Sequence, residues 1–215
     1  MIPRSAEQPR YRTVLAVDIE GSTTRTNRAK ARARDVMYGL VAEAMAASGI
    51  GRQHHDPFID RGDGLLVLIQ PADQVPKTLL LSAVIPVLTG LLSLHNGRHP
   101  DDPLRLRAVV HAGEVHYDDR APFGETLDVA FRLLDAAELK RALGHTSAPL
   151  VLVISGELYT SVVRHGYDGI DPRSFVPLVG LRVANTWQGG WLQLPGSTQA
   201  RIRLISSSRL CATRR

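Results

Sequence analysis

Cysteine is nearly absent, with Cys211 the single thiol in 215 residues. That excludes an intrachain disulfide framework and suits a reducing compartment, so a cytoplasmic location is expected. Aromatic residues make up only 5% of the chain and do not interleave with arginine, which weakens any reading as a surface for single-stranded nucleic acid. Lysine occurs only at Lys30, Lys77 and Lys140, so the formal charge of +5 is carried by arginine. A basic balance suits an anionic partner without choosing among nucleotide, nucleic acid and membrane. The densest run, Arg25, Arg28, Arg32 and Arg34, has the spacing of a solvated helix face, and no nucleic-acid motif accompanies it. Long apolar runs are lacking too. Thr78 to Leu94 carries no charge, but it falls short of the ~20 residues a span needs and is interrupted by Pro86 and Gly90. It reads as a buried core helix. Met1 to Arg10 is polar, with two prolines and no apolar signal core, so stable membrane insertion is not expected.

What is present is an ordinary globular composition, 44% apolar and 22% charged, in a length that fits one sizeable domain. Tyr11 to Val17 is an apolar, β-branched run ending at Asp18, a buried strand. Gly21-Ser22-Thr23-Thr24 breaks it and offers caps for a helix from about Asn27 to Ser48. Pro57-Phe58-Ile59 and Leu65 to Ile69 flank Arg61-Gly62-Asp63-Gly64, a hairpin pattern. An apolar helix over Val75 to Leu94 follows, then an alternating strand over Leu104 to His111. Thr126 to Leu143 has helical periodicity, with Leu127, Ala130, Phe131, Leu134 and Ala137 on one stripe. Leu150 to Ile154 reads as a strand, Gly156 to Arg164 as a helix, and Val176 to Ala184 with Trp191 to Leu194 as a last hairpin. The expected organisation is a flexible 1–10, one α/β or α+β domain over 11–195, and a basic tail over 196–215.

Two carboxylates stand out. Asp18 ends a buried strand before a Gly-Ser-Thr turn, where amides could receive phosphate oxygens. Asp63 sits at the hairpin tip. Each alone is an ordinary cap or turn residue; if the hairpin lies beside the first strand, the pair fits a two-metal phosphoryl-transfer site. Asp128 and Arg132, four apart on a helix, share one face. They read as a helix ion pair, or as a charge poised for a transferring phosphoryl group. His54-His55-Asp56 and His111-x-x-Glu114-x-His116 look like metal ligands but lack convergent four-ligand spacing, and the Arg-Gly-Asp tripeptide reads as chance.

In order and spacing, D-I-E-G-S-T, R-G-D-G-L-L-V-L, L-R-L-R-A-V-V-H-A-G-E-V and G-x-x-x-D-V-A-x-R-L resemble the catalytic domains of class III nucleotidyl cyclases, over roughly Tyr11 to Leu194. The resemblance implies an α+β fold with a ferredoxin-like βαββαβ core, an antiparallel-rich sheet and flanking helices. It implies a head-to-tail homodimer with active sites at the interface. One subunit would hold two divalent cations, Mg²⁺ or Mn²⁺, through Asp18, Asp63 and the carbonyl of Ile19; the other would supply Arg132 and the residue at 128. Gly21, Ser22 and Thr23 would receive the triphosphate, and the substrate O3′ would attack the α-phosphorus, releasing pyrophosphate.

The sequence departs from that pattern. The family's Asn is Asp128. The positions of its adenine-reading side chains are Ile59 and Ala121, both apolar. A late-strand Lys for the terminal phosphates is replaced by Ala184, with Arg182 on the same strand as a stand-in. Conventional cyclic AMP formation is therefore not the expectation; the pocket resembles those of bacterial pyrimidine cyclases, which use UTP or CTP for an antiphage messenger read by a cyclic-nucleotide-binding effector. The alternative is a catalytically silent cyclase-like dimer that binds a nucleotide or a protein.

Overall fold

The computed structural model describes residues 8–183 and 186–195, apart from the side chains of 179, 181–183 and 186–188. The expected tail over 196–215 and Ala184 lie outside the described residues, as do residues 1–7. The first strand, β1 (Arg10–Ile19), leads through a short 3-10 turn into α1 (Asn27–Ala47). The cap of α1 is Thr26, whose hydroxyl accepts from the Ala29 N–H at 3.3 Å; Ser22 to Thr24 form the preceding turn instead of capping it. A two-residue β2 (Ile59–Asp60) pairs with β3 (Gly64–Ile69), confirming the hairpin.

The apolar segment forms one helix over Lys77–Arg98, made of α2 (Lys77–Leu79), a π turn (Leu80–Val84) and α3 (Ile85–Arg98). Pro86 has no N–H to give to the preceding turn, which favours the widened geometry there. By length and composition this helix could cross a membrane, and 39% of its most apolar window is buried inside the protein. β4 (Leu106–Tyr117) runs six residues past the expected His111 because its far half pairs with the start of β1, Arg10 opposite Val115.

After the short β5 (Pro122–Phe123), the long helix expected over Thr126 to Leu143 divides into α4 (Glu125–Asp135) and α5 (Ala137–Gly144). The break is at Ala136, with an extended ψ of 130°. No proline or glycine marks it; the bend lets Leu139, Ala142 and Leu143 bury themselves. It also revises the expected stripe. Leu127, Ala130 and Leu134 are buried as expected, together with Val129 and Leu133; Phe131 is half-buried and Ala137 is exposed. β6 (Leu150–Ser155) pairs parallel to β4, then α6 (Gly156–Ser161) leads to the hairpin of β7 (Phe175–Val183) and β8 (Thr186–Gln193).

The sheet order is β2-β3-β1-β4-β6-β8-β7, with β5 on β4. Its first four strands are antiparallel neighbours linked by α1 and by the α2–α3 helix, which realises the expected βαββαβ core. Both faces are covered, and the period-2 alternation of the strands divides the core. Leu15, Val17, Leu65, Val67, Leu106 and Ala108 face α1 and α3. Val14, Ala16, Leu66, Leu68 and Val109 face α4 and α5. Residues 14, 16 and 18 of β1 share a parity, so Asp18 emerges on the α4 side.

Candidate functional site

β1 and the hairpin meet at one end of the sheet. Asp18 lies opposite Gly64 in the β1–β3 register, and the Ile19 N–H donates to the carbonyl of Asp63 at 3.1 Å. Gly62 has a φ of 80°, a left-handed conformation that glycine adopts without strain. At Gly64 a Cβ would stand 2.8 Å from the Val17 carbonyl oxygen. Both glycines of the tip are thus required for Asp63 to come down beside Asp18.

The two aspartates line a cavity of about 100 Å³, together with Arg61, Gly64, Leu65, Phe131, Leu134 and Asp135. Asp135 and Arg61 are additions that sequence reasoning did not make. Asp135 follows Phe131 by one helical turn and so shares its face; Arg61 was visible only as a turn residue. On the other flank of Asp18, Arg107 of β4 occupies the directly opposite position in the β1–β4 register. Its guanidinium Nη2 donates to Asp18 Oδ2. The side chains of Asp18 and Arg107 are 13% and 11% exposed, so this is a largely desolvated ion pair.

Burial pushes the Asp18 carboxyl above its ordinary range, Arg107 pulls it back down, and the charges of Asp63 and Asp135 push it up again. Asp18 Oδ1 and Arg107 Nε are buried with no hydrogen-bond partner among the described residues. An orphaned carboxylate oxygen beside two further aspartates fits a hard divalent cation. Among the described residues no group of three or more His, Cys, Asp or Glu gathers closely enough to hold an ion. The carboxylate pair would therefore need backbone and ligand oxygens to complete a coordination shell.

The other expected site residues are distributed around this centre. Gly21 and Thr23 are exposed and Ser22 buried, in the turn that continues β1. Asp128 and Arg132 stand on the exposed side of α4 and are not among the residues lining the Asp18–Asp63 cavity. Ile59 lies at the sheet edge on β2, opposite Leu66, and packs against the α4-side core. Ala121 is exposed in the turn between β4 and β5, and β2 and β4 are separated in the sheet by β3 and β1. The side chain of Arg182 lies outside the described residues.

Among the described residues the histidines form no metal centre. His111 is buried and shares a 2.8 Å hydrogen bond between its Nδ1 and Ser155 Oγ. His55 and His116 stack on Phe58 and Phe123. A larger hollow of about 650 Å³ lies between the end of α1 and the segment before β2. It is walled by Ala42, Met45, Ala46, Ile50 and Phe58 and lacks carboxylates.

No family model matches the sequence, and no curated protein matches it. Solved structures do. The adenylate/guanylate cyclase/hydrolase from Silicibacter pomeroyi superposes with a TM-score of 0.61 at 16% identity, over 88% of this chain and 99% of its own. The adenylyl cyclase CyaB from P. aeruginosa gives 0.57 at 15% identity, over 89% and 97%. The guanylate cyclase domain of RhGC from Catenaria anguillulae, in complex with GTP, gives 0.56 at 16%, over 88% and 100%. At such identities the shared property is the fold. It is the fold of adenylyl and guanylyl cyclase catalytic domains, nearly whole on both sides of each comparison.

Proposed function

We propose that this protein is a nucleotide cyclase that converts a nucleoside triphosphate to its 3′,5′-cyclic nucleotide and pyrophosphate. The observation that carries the reading is the meeting of Asp18 and Asp63 at one small cavity, with Asp18 Oδ1 buried and without a hydrogen-bond partner among the described residues. That this happens within a cyclase-type fold gives it direction.

Asp18, Asp63 and the Ile19 carbonyl would hold two divalent cations, Mg²⁺ or Mn²⁺. Bound there, the cations would acidify the 3′-hydroxyl and screen the phosphate charge. O3′ forms a bond to the α-phosphorus as the bond to the bridging α,β-oxygen breaks; the hydroxyl proton passes to solvent water and pyrophosphate leaves with the electron pair. The amides of Gly21, Ser22 and Thr23 would receive phosphate oxygens, and Arg182 would be a further cation. Asp128 and Arg132, exposed on α4 and away from their own subunit's cavity, would serve the site of a second copy in a head-to-tail homodimer. There Arg132 would meet the charge that builds on the phosphoryl group, and Asp128 would orient Arg132 or a substrate hydroxyl.

The side chains of Ile59 and Ala121 offer no hydrogen bonds to an adenine edge, which argues against the usual adenine reading; UTP or CTP is the finer part of the proposal. The resulting messenger would act on a cyclic-nucleotide-binding effector, as in antiphage signalling. The test is incubation with ATP, GTP, CTP and UTP in turn, with Mn²⁺ and mass-spectrometric detection of cyclic products. One cyclic pyrimidine product, lost in Asp63→Ala, is the expected result; a purine product would overturn the base assignment. Asp128, a carboxylate beside a polyanion, favours one competing reading, a silent dimer that binds nucleotide. Saturable nucleotide binding with no product from any of the four would select it.

A further inference from the structure

Among the described residues, Arg61 is the basic residue that lines the carboxylate cavity, and it is held in an unusual way. Its guanidinium lies over the ring of Phe131, with Cζ 3.5 Å from the centroid. Both side chains line the cavity shared by Asp18, Asp63 and Asp135. An arginine on the wall of a cavity with three aspartates would ordinarily close an ion pair. Among the described residues Arg61 makes none: Asp18 is taken by Arg107 and Asp135 pairs with Lys140 at 3.2 Å.

Stacking on Phe131 fixes the plane of the guanidinium and leaves its in-plane N–H edge available. A fork of donors held flat beside a carboxylate pocket fits a ligand that brings cations to the carboxylates and its own oxyanions to the arginine. A metal-bound polyphosphate has that distribution of charge. The hairpin also explains why the arginine stays put. The Arg61 N–H donates to the Gly64 carbonyl at 3.0 Å, and Gly62 and Gly64 set the tip so that Arg61 and Asp63 flank the same opening.

We propose that Arg61 binds the terminal phosphates of the metal-bound nucleoside triphosphate, with Phe131 as the platform that orients it. This rests on the cyclase reading for its substrate and adds a phosphate-binding residue to it.

Inorganic tripolyphosphate with saturating Mn²⁺ is the probe, because it needs neither a base nor turnover. Calorimetry on the full chain should show Arg61→Gln binding it roughly tenfold to a hundredfold more weakly. Arg61→Lys should fall between, since it keeps the charge and loses the planar fork, and Phe131→Leu should lose several-fold. Binding of Mn²⁺ alone should be no weaker in any variant, which a merely damaged site would not satisfy. Wild-type affinity in Arg61→Gln, or no tripolyphosphate binding by wild type, would overturn the assignment. The two readings separate cleanly. Cyclic product with an unchanged KM in Arg61→Gln removes Arg61 and leaves the cyclase. Arg61-dependent tripolyphosphate binding without product from any nucleotide removes the cyclase and leaves the phosphate site.

Discussion

Arg107 and Asp18 face each other across the β1–β4 ladder and form an ion pair that is nearly sealed from solvent. One carboxylate oxygen is engaged by the arginine, and the other is buried without a partner among the described residues. The arginine therefore competes with any cation that would use Asp18, both by occupying an oxygen and by its charge. Arg107→Gln should bind Mn²⁺ more tightly in the absence of nucleotide, by roughly threefold to tenfold. Electron paramagnetic resonance of free Mn²⁺ would measure it; an unchanged or weaker affinity would show that the pair is structural alone.

The carboxylate pair and α4 are expected to fail in different ways. Asp18→Ala and Asp63→Ala should each lower product formation by at least about 100-fold, the scale of losing a metal-assisted step. Arg132→Ala should cost roughly 10- to 1,000-fold in kcat with metal binding intact. If Asp128 faces the substrate of a second copy as proposed, Asp128→Asn removes a negative charge from the polyanion's surroundings and should raise the rate. Mixing Arg132→Ala with Asp63→Ala should restore part of the activity if two copies complete one site.

Gly64 has no room for a side chain. Its Cβ would meet the Val17 carbonyl oxygen at 2.8 Å, and backbone cannot swing aside as a flexible side chain can. Gly64→Ala should force β1 and β3 apart beside Asp18 and cost about 1–3 kcal/mol. Urea unfolding would report the loss, and Mn²⁺ affinity should fall with it because the Asp18–Asp63 spacing changes.

His111 links stability to pH. Burial holds its imidazole down to about 4, with the charge of Lys77 adding to the effect. The unfolded chain would titrate near the ordinary 6.5, so between those values the unfolded state binds the proton and the folded state does not. Stability is thus fully present above about 6.5 and declines as the pH falls toward about 4. His111→Gln should flatten that part of the profile, a contribution on the order of 3 kcal/mol at most, measured as urea midpoints at a series of pH values.

Much of this was legible in the sequence, because the signals were local. The strand ending at Asp18, the glycine-flanked hairpin and the apolar helix each declare themselves by period and turn chemistry within a dozen residues. The two metal-candidate aspartates could be named, and their meeting could be made conditional on the hairpin lying beside β1. The break at Ala136 could not be read, because no residue there opposes a helix; only the burial of Leu139 and Leu143 against the sheet bends the chain.

The partners of those aspartates were also beyond the sequence. Arg107 was one arginine in an alternating strand, and only the antiparallel register sets it opposite Asp18. Asp135 was one more charge on a helix, and only the packing of α4 on the Asp18 face brings it to the cavity. Arg61 was a turn residue until Phe131 came over it. The sequence determined which elements form and which chemical groups they carry, since backbone propensity and hydrophobic period act over short separations. Tertiary structure decided which of those groups share a cavity, since register and helix packing join residues tens of positions apart.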